Sequence, residues 1–493
     1  MRLRTTARRS LPLLLGVPVA LATTAVLAFQ YRIQLSNRLQ LLSRLPSAPT
    51  GRTGPIIVFA PHCDDESLAT GGLIQTAKQA GRPVKVVVMT NGEGFPIAAG
   101  REFRKLRVKP GGYIRFAETR QNDTRRAAAA LGLSRDDLIF LGYPDRGLSP
   151  MWIGHWSPDN PFRSPYTKLA RSSYANSYRS EAAYCGRRLF EDIRSILVRY
   201  RPSDIYIPHP SDDHPDHRAA YAFVVAALSD LQMSEHPRLK TRVHTYLVHR
   251  GDWPEPWGWK PELPLRPPAA MARLDTKWDT LPLTDDMVLT KREAIQSHRT
   301  QVAVMGRFLN SFARKNEFFG RIGTPTVPTV SDGAMSVDGE TDDWRGIGPG
   351  SLDPVADTVV RGIERAGDVR SVRLCADSSY VYVRVDFTRN LSKRVLYHVS
   401  IRSFGARGGR NTKLWAVSIR PPSRCRPAGV YFAWKERVLE IKAPRSDLAR
   451  ARTLFVSVDT STMRIRVDRT GWREYELPDR DHPEPAHPRV KRV

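Results

Sequence analysis

The chain has 493 residues, and its 77 Lys and Arg exceed its 50 Asp and Glu, which gives a formal net charge of +27. This length exceeds what one hydrophobic core usually organises, so we expect two domains plus connecting segments. Because 41% of the residues are hydrophobic and 9% are aromatic, a wholly disordered chain is excluded. The basic residues are spread along the chain without a recognition helix or finger motif, so we expect no specific binding to nucleic acid.

The first thirty residues have the pattern of an export segment. Four arginines within the first nine residues precede an uncharged run over 11–29. This pattern favours a signal anchor at 1–31, followed by a linker at 32–54, with the rest of the chain held at the membrane on its extracytoplasmic side. Cleavage near Ala22 is the alternative, and it would leave a secreted protein.

Residues 55–325 alternate between short apolar runs and helical patterns. Buried strands are predicted at 56–60, 84–89, 138–141, 204–207 and 243–248, and helices at 67–80, 118–131, 180–200 and from about 218. This alternation predicts an α/β domain with a Rossmann-like, mainly parallel sheet and helices on both faces. In such a sheet the ligand site lies beyond the carboxyl ends of the strands.

The character of the chain changes near residue 325. Short alternating strands are predicted in residues 331–478, at 380–387, 395–401, 414–419, 429–434, 438–441 and 454–458. They predict a separate C-terminal antiparallel β-sandwich domain, and residues 479–493 are predicted to be a disordered tail.

Four cysteines are too few for a dense disulfide framework. Cys375 and Cys425 lie in the same later region and could pair outside the cytoplasm. Cys63 and Cys185 are expected to be small buried residues. The fold is therefore expected to depend on its apolar cores.

An imidazole and three carboxylates directly follow the first predicted strand. His62, Asp64, Asp65 and Glu66 lie on the loop at its carboxyl end, where an α/β active site is expected. Adjacent carboxylates repel one another unless a cation or strong donors offset them, so a metal ion is the simplest explanation. An acidic first turn of the next helix is the alternative.

A second cluster of His and Asp follows the fourth predicted strand and includes His214, Asp216 and His217. Two such clusters at equivalent strand ends favour one shared site. Zinc accepts imidazole and carboxylate ligands, and catalytic sites keep to three protein ligands so that water can bind. Two His and one Asp fit Zn²⁺, although Fe²⁺ or another divalent metal also accepts this set. His249, at the end of the fifth strand, is expected to be structural.

The motifs His62-Cys63-Asp64-Asp65-Glu66 and His214-Pro215-Asp216-His217 resemble those of the LmbE-like, or PIG-L, zinc-dependent de-N-acetylases. Residues 90–94, 141–145 and 291–301 are similar to further landmarks of that family, so the resemblance runs from about 55 to 308. Cys63 departs from the pattern, since proline is common at that position. A thiol role there is not expected, because neighbouring side chains on an extended loop point apart.

The resemblance implies three metal ligands: His62, Asp65 and His217. It also implies that Asp64 is the general base toward the attacking water. His214 then stabilises the oxyanion or protonates the leaving amine, and Asp216 orients His214. The family removes acetyl groups from N-acetylglucosamine carried on lipids or small molecules, which implies a carbon–nitrogen hydrolase acting on an N-acylated amino sugar or glycoconjugate.

In the later region, residues 337–344 and 376–382 resemble family 9-like carbohydrate-binding sandwiches. Glycan binding is one expectation, and the other is that Trp344, Tyr380 and Trp434 are core aromatic residues. Two alternatives for the whole chain stay open at this point. One is a metallohydrolase acting on a different amide, and the other is a glycan-binding surface protein with a vestigial hydrolase domain.

Overall fold

A computed structural model of the chain describes residues 53–234, 239–355, 364–405, 411–421, 431–448 and 451–478. The predicted signal anchor at 1–31, nearly all of the linker at 32–54, and the tail at 479–493 lie outside these residues, so those interpretations stay predictions. Cys425 also lies outside them, and Cys375 is a buried free cysteine. Within the described ranges, every helix is too short or too polar to cross a bilayer.

Seven strands of the described chain form one sheet: β1 (Ile56–Ala60), β2 (Val84–Thr90), β3 (Leu138–Tyr143), β4 (Asp204–Pro208), β5 (Arg242–Tyr246), β6 (Lys277–Pro282) and β7 (Asn316–Arg321). Their order across the sheet is β3-β2-β1-β4-β5-β7-β6. The first five pair in parallel, and β7 and β6 continue the sheet in antiparallel pairing. The prediction of a mainly parallel α/β sheet is confirmed, and the antiparallel edge is an addition.

Helices cover both faces of this sheet: α1 (Asp65–Gln79), α2 (Pro96–Phe103), α3 (Pro110–Ala130), α4 (Leu148–Ile153), α5 (Gly186–Tyr200), α6 (Pro215–Ser234), α7 (Asp285–Ser297) and α8 (Arg299–Asn310). The alternation of side chains along β1 explains the two layers. Ile56 and Val58 pack in a cluster with α1, α3 and α7, whereas Ile57 and Phe59 pack in another with α5 and α6.

All four predicted helices begin at residues other than those predicted, although α1 differs by only two residues. Helix α3 begins at Pro110 and α6 at Pro215, because proline lacks an N–H that the first helical turn would leave unpaired. The earlier start of α6 places Asp216 and His217 on its first turn. Helix α5 begins only at Gly186, because residues 182–184 form backbone hydrogen bonds with residues 162–172 instead.

The C-terminal region consists of strands β8 (Ser351–Leu352), β9 (Val369–Ala376), β10 (Tyr380–Phe387), β11 (Leu396–Gly405), β12 (Thr412–Ile419), β13 (Tyr431–Lys435), β14 (Val438–Pro444), β15 (Ala451–Thr462), β16 (Ile465–Arg469) and β17 (Arg473–Glu476). One antiparallel sheet has the order β13-β14-β10-β9-β8, and the other has β12-β11-β15-β16 with β17 also paired to β15. Their inner side chains share one apolar core. The predicted strands are present, and β8, β9, β16 and β17 are additional.

The aromatic residues of this region have mainly structural contacts. Trp344 is buried, and its Nε1 donates to Glu440 Oε1 at 2.7 Å. Tyr380 and Trp434 are partly buried against apolar clusters. These contacts favour the structural role of the three aromatic residues, and glycan binding by this region stays a prediction.

The two sheets of the C-terminal region pack against the α/β part through aromatic side chains. Trp152 of α4 makes edge contacts with Phe455 and Trp472, with ring centroids 5.4 and 5.8 Å apart. At Gly471 an added Cβ would lie 2.2 Å from the carbonyl oxygen of Pro210, on the loop after β4. The C-terminal region therefore touches the loop that leads to the second His/Asp cluster.

Candidate metal centre

The three predicted metal ligands converge between the ends of β1 and β4, which are neighbours in the sheet. His62 Nδ1 lies 3.4 Å from Asp65 Oδ2, and His217 Nε2 lies 3.2 Å from each of these two atoms. A tetrahedral zinc ion with bonds of about 2.0–2.1 Å separates its ligand atoms by roughly 3.4 Å. The spacing of the three atoms therefore fits one metal ion.

The other nitrogen of each histidine faces a buried carboxylate. His62 Nε2 lies 3.3 Å from Asp145 Oδ1 and 3.6 Å from Asp216 Oδ2. His217 Nδ1 lies 3.2 Å from Asp212 Oδ2. The angles at both nitrogens are poor for hydrogen bonds, so these contacts are mainly electrostatic. Carboxylates in this position orient metal-bound imidazoles and raise their basicity.

The electrostatics of the cluster also fit a cation. Burial lowers the pKa of His217, but the charges of Asp212 and Asp65 outweigh it and raise that pKa to about 9. Burial likewise opposes protonation of His62, whose pKa is nevertheless raised well above its usual range, chiefly by its contact with Asp145. Both shifts reflect an excess of negative charge around the imidazoles, which a divalent ion would balance.

Asp64 lies beside the ligands and is held by a buried arginine. Arg120 of α3 donates from Nη2 to Asp64 Oδ2 at 3.1 Å and to the Cys63 carbonyl oxygen at 2.8 Å. Burial raises the pKa of Asp64 to about 6, although the charge of Arg120 opposes this. One carboxylate oxygen, Oδ2, is thus fixed by Arg120.

Gly92 makes room for this arginine. Its φ is +65°, and a Cβ there would lie only 1.7 Å from Arg120 Nη1, which donates to the Gly92 carbonyl oxygen at 2.5 Å. Both the left-handed backbone and the close approach require glycine at this position. The loop after β2 is thereby tied to the loop after β1.

The predicted contact between Asp216 and His214 is corrected by the structure. The carboxylate of Asp216 accepts from the backbone N–H of Arg146 at 2.6 Å and of Leu148 at 3.1 Å, so it holds the loop after β3 and faces His62. The backbone N–H of Asp216 donates to His214 Nδ1 at 3.3 Å. His214 is therefore oriented by the main chain, because the Asp216 carboxylate is held by the two N–H groups of the loop after β3.

With Nδ1 of His214 accepting a hydrogen bond, the neutral ring carries its proton on Nε2. Burial lowers the pKa of His214 well below its usual range, and the neighbouring histidines add to this effect. The ring lies edge-on to that of His62, with centroids 4.5 Å apart. His214 is therefore positioned as a neutral hydrogen-bond donor close to the ligands.

His249 belongs to the site, contrary to the expectation of a structural histidine. Its ring centroid lies 4.8 Å from that of His217, and it forms a group of potential ligand atoms with Asp65 and His217, all within 4.8 Å of one another. Burial lowers the pKa of His249 to about 4, and the charge of His217 adds to this. Its place in the site could not be predicted from its strand position, because His249 packs against Phe308 of a helix distant in sequence.

Cys63 takes no part in this cluster. Its side chain is fully buried in the apolar cluster with α1 and α3, and burial raises the pKa of its thiol to about 12. The residue that departs from the family pattern thus packs in the core, although residues 61–64 form a tight turn and not the extended loop that was expected.

The part of the chain that carries these residues matches a known protein family. Residues 57–228 match the family described as PIG-L: GlcNAc-PI de-N-acetylase. Residues 57–228 form a PIG-L family domain. The match includes both motifs and the strands β1 to β4 that position them.

Curated relatives agree with this assignment of the domain. The chain is 29% identical over 264 residues to a 1D-myo-inositol 2-acetamido-2-deoxy-alpha-D-glucopyranoside deacetylase from Mycobacterium sp. (strain KMS), covering 51% of this chain and 75% of the relative. It is 27% identical over 301 residues to the enzyme of the same name from Nocardia farcinica, covering 56% and 88%. About half of this chain is thus outside the similarity.

Among solved structures, similar chains include the N,N'-diacetylchitobiose deacetylase from Pyrococcus horikoshii, with a TM-score of 0.33, 18% identity, and coverage of 54% of this chain and 82% of that one. A second is the zinc-inhibited form of a teicoplanin deacetylase, with a TM-score of 0.35, 14% identity, and coverage of 54% and 97%.

Proposed function

We propose that this protein is a metal-dependent hydrolase that removes the acetyl group from an N-acetylated amino sugar. The observation that carries the proposal is the triangle formed by His62 Nδ1, Asp65 Oδ2 and His217 Nε2, with sides of 3.2–3.4 Å, beside the buried carboxylate of Asp64. The names of the PIG-L relatives, which are deacetylases of an acetamido sugar, support the reaction and the substrate class.

His62, Asp65 and His217 would hold the metal, and Zn²⁺ is the ion that we propose. Bound there, it would supply Lewis acidity, which lowers the pKa of water and polarises the amide carbonyl. Two nitrogen donors and one carboxylate oxygen leave room for solvent and substrate in a four-coordinate site. Fe²⁺ is compatible with the same donors, so the metal content of the purified protein decides between them.

Asp64 acts as the general base. Its Oδ2 is held by Arg120, so Oδ1 accepts a proton from the water that attacks the acetyl carbonyl carbon. As the carbon–oxygen bond forms, the carbonyl oxygen gains negative charge, and the Nε2–H of His214 donates to it. The carbon–nitrogen bond then breaks, and Asp64 returns its proton to the amine nitrogen. Acetate and a free amino sugar are the products.

Two alternatives differ from this proposal in what they predict. A metallohydrolase acting on another amide would share the ligands and Asp64 but would not release acetate. A glycan-binding protein with a vestigial domain would have no need for the Arg120 contact that positions Asp64 or for the carboxylates behind His62 and His217. This arrangement favours a working hydrolase.

The test is acetate release from N-acetylglucosaminides by the purified chain, before and after metal removal by a chelator. We expect activity to disappear on chelation and to return with added Zn²⁺. Asp64→Asn should keep its metal and lose about 10²–10⁴-fold in kcat, which is the usual contribution of a general base. The matched control is Asp213→Asn, because Asp213 belongs to the second cluster but pairs with Arg250 at the surface.

The outcomes separate the alternatives. Full metal content without acetate release from any N-acetylated amino sugar would refute the deacetylase proposal and leave the metal site standing. Retention of full activity by Asp64→Asn would refute the assigned base. A similar loss in Asp213→Asn would mean that general disturbance of the cluster, and not proton transfer, explains the effect.

A further inference from the structure

Residues 96–109, which comprise α2 and the segment that follows it, form a protruding basic surface that we call the basic rim. Leu106 is fully exposed and Ile97 is 68% exposed. Five cations of the basic rim are exposed: Arg101, Arg104, Lys105, Arg107 and Lys109. Glu102 is its single acidic residue. Within the described part of the chain, none of these five cations forms an ion pair.

The basic rim follows the loop after β2, which contacts the metal centre. It begins two residues after Gly94, whose N–H donates to Asp145 Oδ2 at 2.8 Å, and Asp145 contacts His62. Ala98 and Ala99 of α2 pack in a small cluster with Val304 of α8.

The same helix α8 carries Phe308, which stacks on His249 of the site. Trp257 is 42% exposed and packs edge-on against Phe308, with centroids 5.7 Å apart. An exposed tryptophan and the basic rim thus both contact α8, the helix that also packs on His249 of the site.

The combination of features points to one class of partner. Exposed apolar side chains among unpaired cations are typical of surfaces that enter the headgroup region of anionic membranes, where the apolar groups leave water and the cations meet lipid phosphates. A soluble polyanion would satisfy the cations but would leave Leu106 and Ile97 in water. The buried underside of α2 and its firm packing on α3 and α8 fit a preformed surface.

We propose that the basic rim docks on an anionic lipid surface, with Ile97 and Leu106 entering the interface and the mouth of the metal centre facing the membrane. The docking needs only the geometry and charge of the basic rim and does not depend on the proposed reaction. It also does not depend on the N-terminal segment, because it concerns how the folded domain is oriented.

The test uses the full chain with Cys425→Ser and Leu106→Cys, labelled at the new cysteine with a polarity-sensitive fluorophore. Cys63, Cys185 and Cys375 are buried and should not react. Vesicles of phosphatidylcholine are compared with vesicles that also contain phosphatidylglycerol. We expect a blue shift only with the anionic vesicles, whether or not the N-terminal segment attaches the chain to both. The shift should weaken as salt is raised.

The matched control is Met463→Cys in the same background, because Met463 is 83% exposed at the β15–β16 turn and also has a basic neighbour, Arg464. No shift is expected there. A further variant, Arg104→Glu with Lys105→Glu and Arg107→Glu, should abolish the shift at position 106 while leaving the unfolding temperature unchanged.

Three results would overturn the proposal. The first is no shift at position 106 with anionic vesicles. The second is an equal shift at position 463, which would assign docking to the C-terminal region. The third is an equal shift with soluble polyphosphate, which would assign the basic rim to a polyanion.

Discussion

Asp212 lies outside the two sequence motifs, yet its carboxylate contacts several parts of the site. Its Oδ1 accepts from the backbone N–H of His214, and its Oδ2 accepts from the N–H groups of Val248 and His249 and faces His217. One carboxylate therefore orients a ligand and joins the loops after β4 and β5. Several fixed donors and the charge of His217 outweigh burial and hold the pKa of Asp212 below its usual range.

We expect Asp212→Asn to weaken zinc affinity by about 10–100-fold, as the loss of a carboxylate behind a metal-bound histidine commonly does. Competition with a chromogenic chelator measures the affinity. Asp213→Asn should bind zinc like the unaltered chain, since that side chain is 41% exposed. Equal affinities of the two variants would show that Asp212 has no such role.

Arg120 is expected to act on the reaction through Asp64, which it holds. Arg120→Gln removes the charge beside Asp64 and the tie to Gly92, so we expect kcat for acetate release to fall about 10–100-fold while metal content is unchanged. Arg120→Lys should recover part of the loss. Arg115→Gln, an exposed position on the same helix, is the control. A change in KM alone would contradict a role in positioning the base.

The sequence could predict which residues bear the chemistry but not how their side chains pair. His62, Asp65 and His217 meet because they follow adjacent parallel strands, a consequence of topology that the apolar runs already indicated. Arg120 could not be found in this way, because it lies in mid-helix and reaches the site only through the space left at Gly92. The direction of the Asp216 side chain could not be predicted either, because α6 begins earlier than the sequence pattern indicates.

Asp204 joins the amino-terminal ends of the central strands through hydrogen bonds. Its carboxylate accepts from Arg82 at 2.7 Å and from Arg242 and His244 at 3.0 Å each. Burial alone would raise the pKa of Asp204, but hydrogen bonds from His244, Arg82 and Ser203 outweigh it and hold the pKa below its usual range. The ionised form therefore stabilises the fold.

Asp204→Asn should lower the free energy of unfolding by about 2–3 kcal/mol at neutral pH, as expected for hydrogen bonds to a charged group. Because the folded pKa is depressed, this stabilisation is complete above the unfolded value of about 3.9 and is lost as pH falls through the lower folded value. Denaturant unfolding from pH 7 to pH 3 should show the difference shrinking only below about pH 4.

The control for this prediction is Asp137→Asn, which breaks a partly exposed pair with Lys85 and should cost less than about 1 kcal/mol. A difference for Asp204→Asn that grows toward acid pH would contradict the direction of the pKa shift.

Helices and strands could largely be predicted where one pattern of apolar residues dominates the sequence. The continuous apolar runs of β1, β2 and β4 and the strict alternation of β10 give strands at nearly the predicted residues. Strands β6 and β7 were not predicted from the sequence, because their polar side chains find hydrogen-bond partners only through tertiary contacts. Glu317 of β7, for example, accepts from the backbone of α1 and pairs with Lys291.

An aromatic interface joins the C-terminal region to the α/β domain. Trp472, Phe455 and Phe404 pack in one apolar cluster with Trp152 and Phe223. Interfaces of this apolar kind couple the regions that they join. We therefore expect the full chain to unfold in a single transition.

Trp472→Ala should lower the free energy of unfolding by about 3–5 kcal/mol, because Trp472 is 6% exposed and its removal leaves a cavity. Trp257→Ala, at a site 42% exposed, should cost less than about 1 kcal/mol. Calorimetry of both variants measures the effect. Two separate transitions in the unaltered chain would show that the regions fold independently.

If His62, Asp65 and His217 hold one metal ion, X-ray absorption of the zinc-loaded protein should detect all three as ligands. We predict two imidazole nitrogens and a carboxylate oxygen at about 2.0–2.2 Å, with one imidazole contribution lost in His217→Ala. A sulfur at about 2.3 Å would assign the metal to a cysteine. That result, or an unchanged spectrum in His217→Ala, would contradict the proposed site.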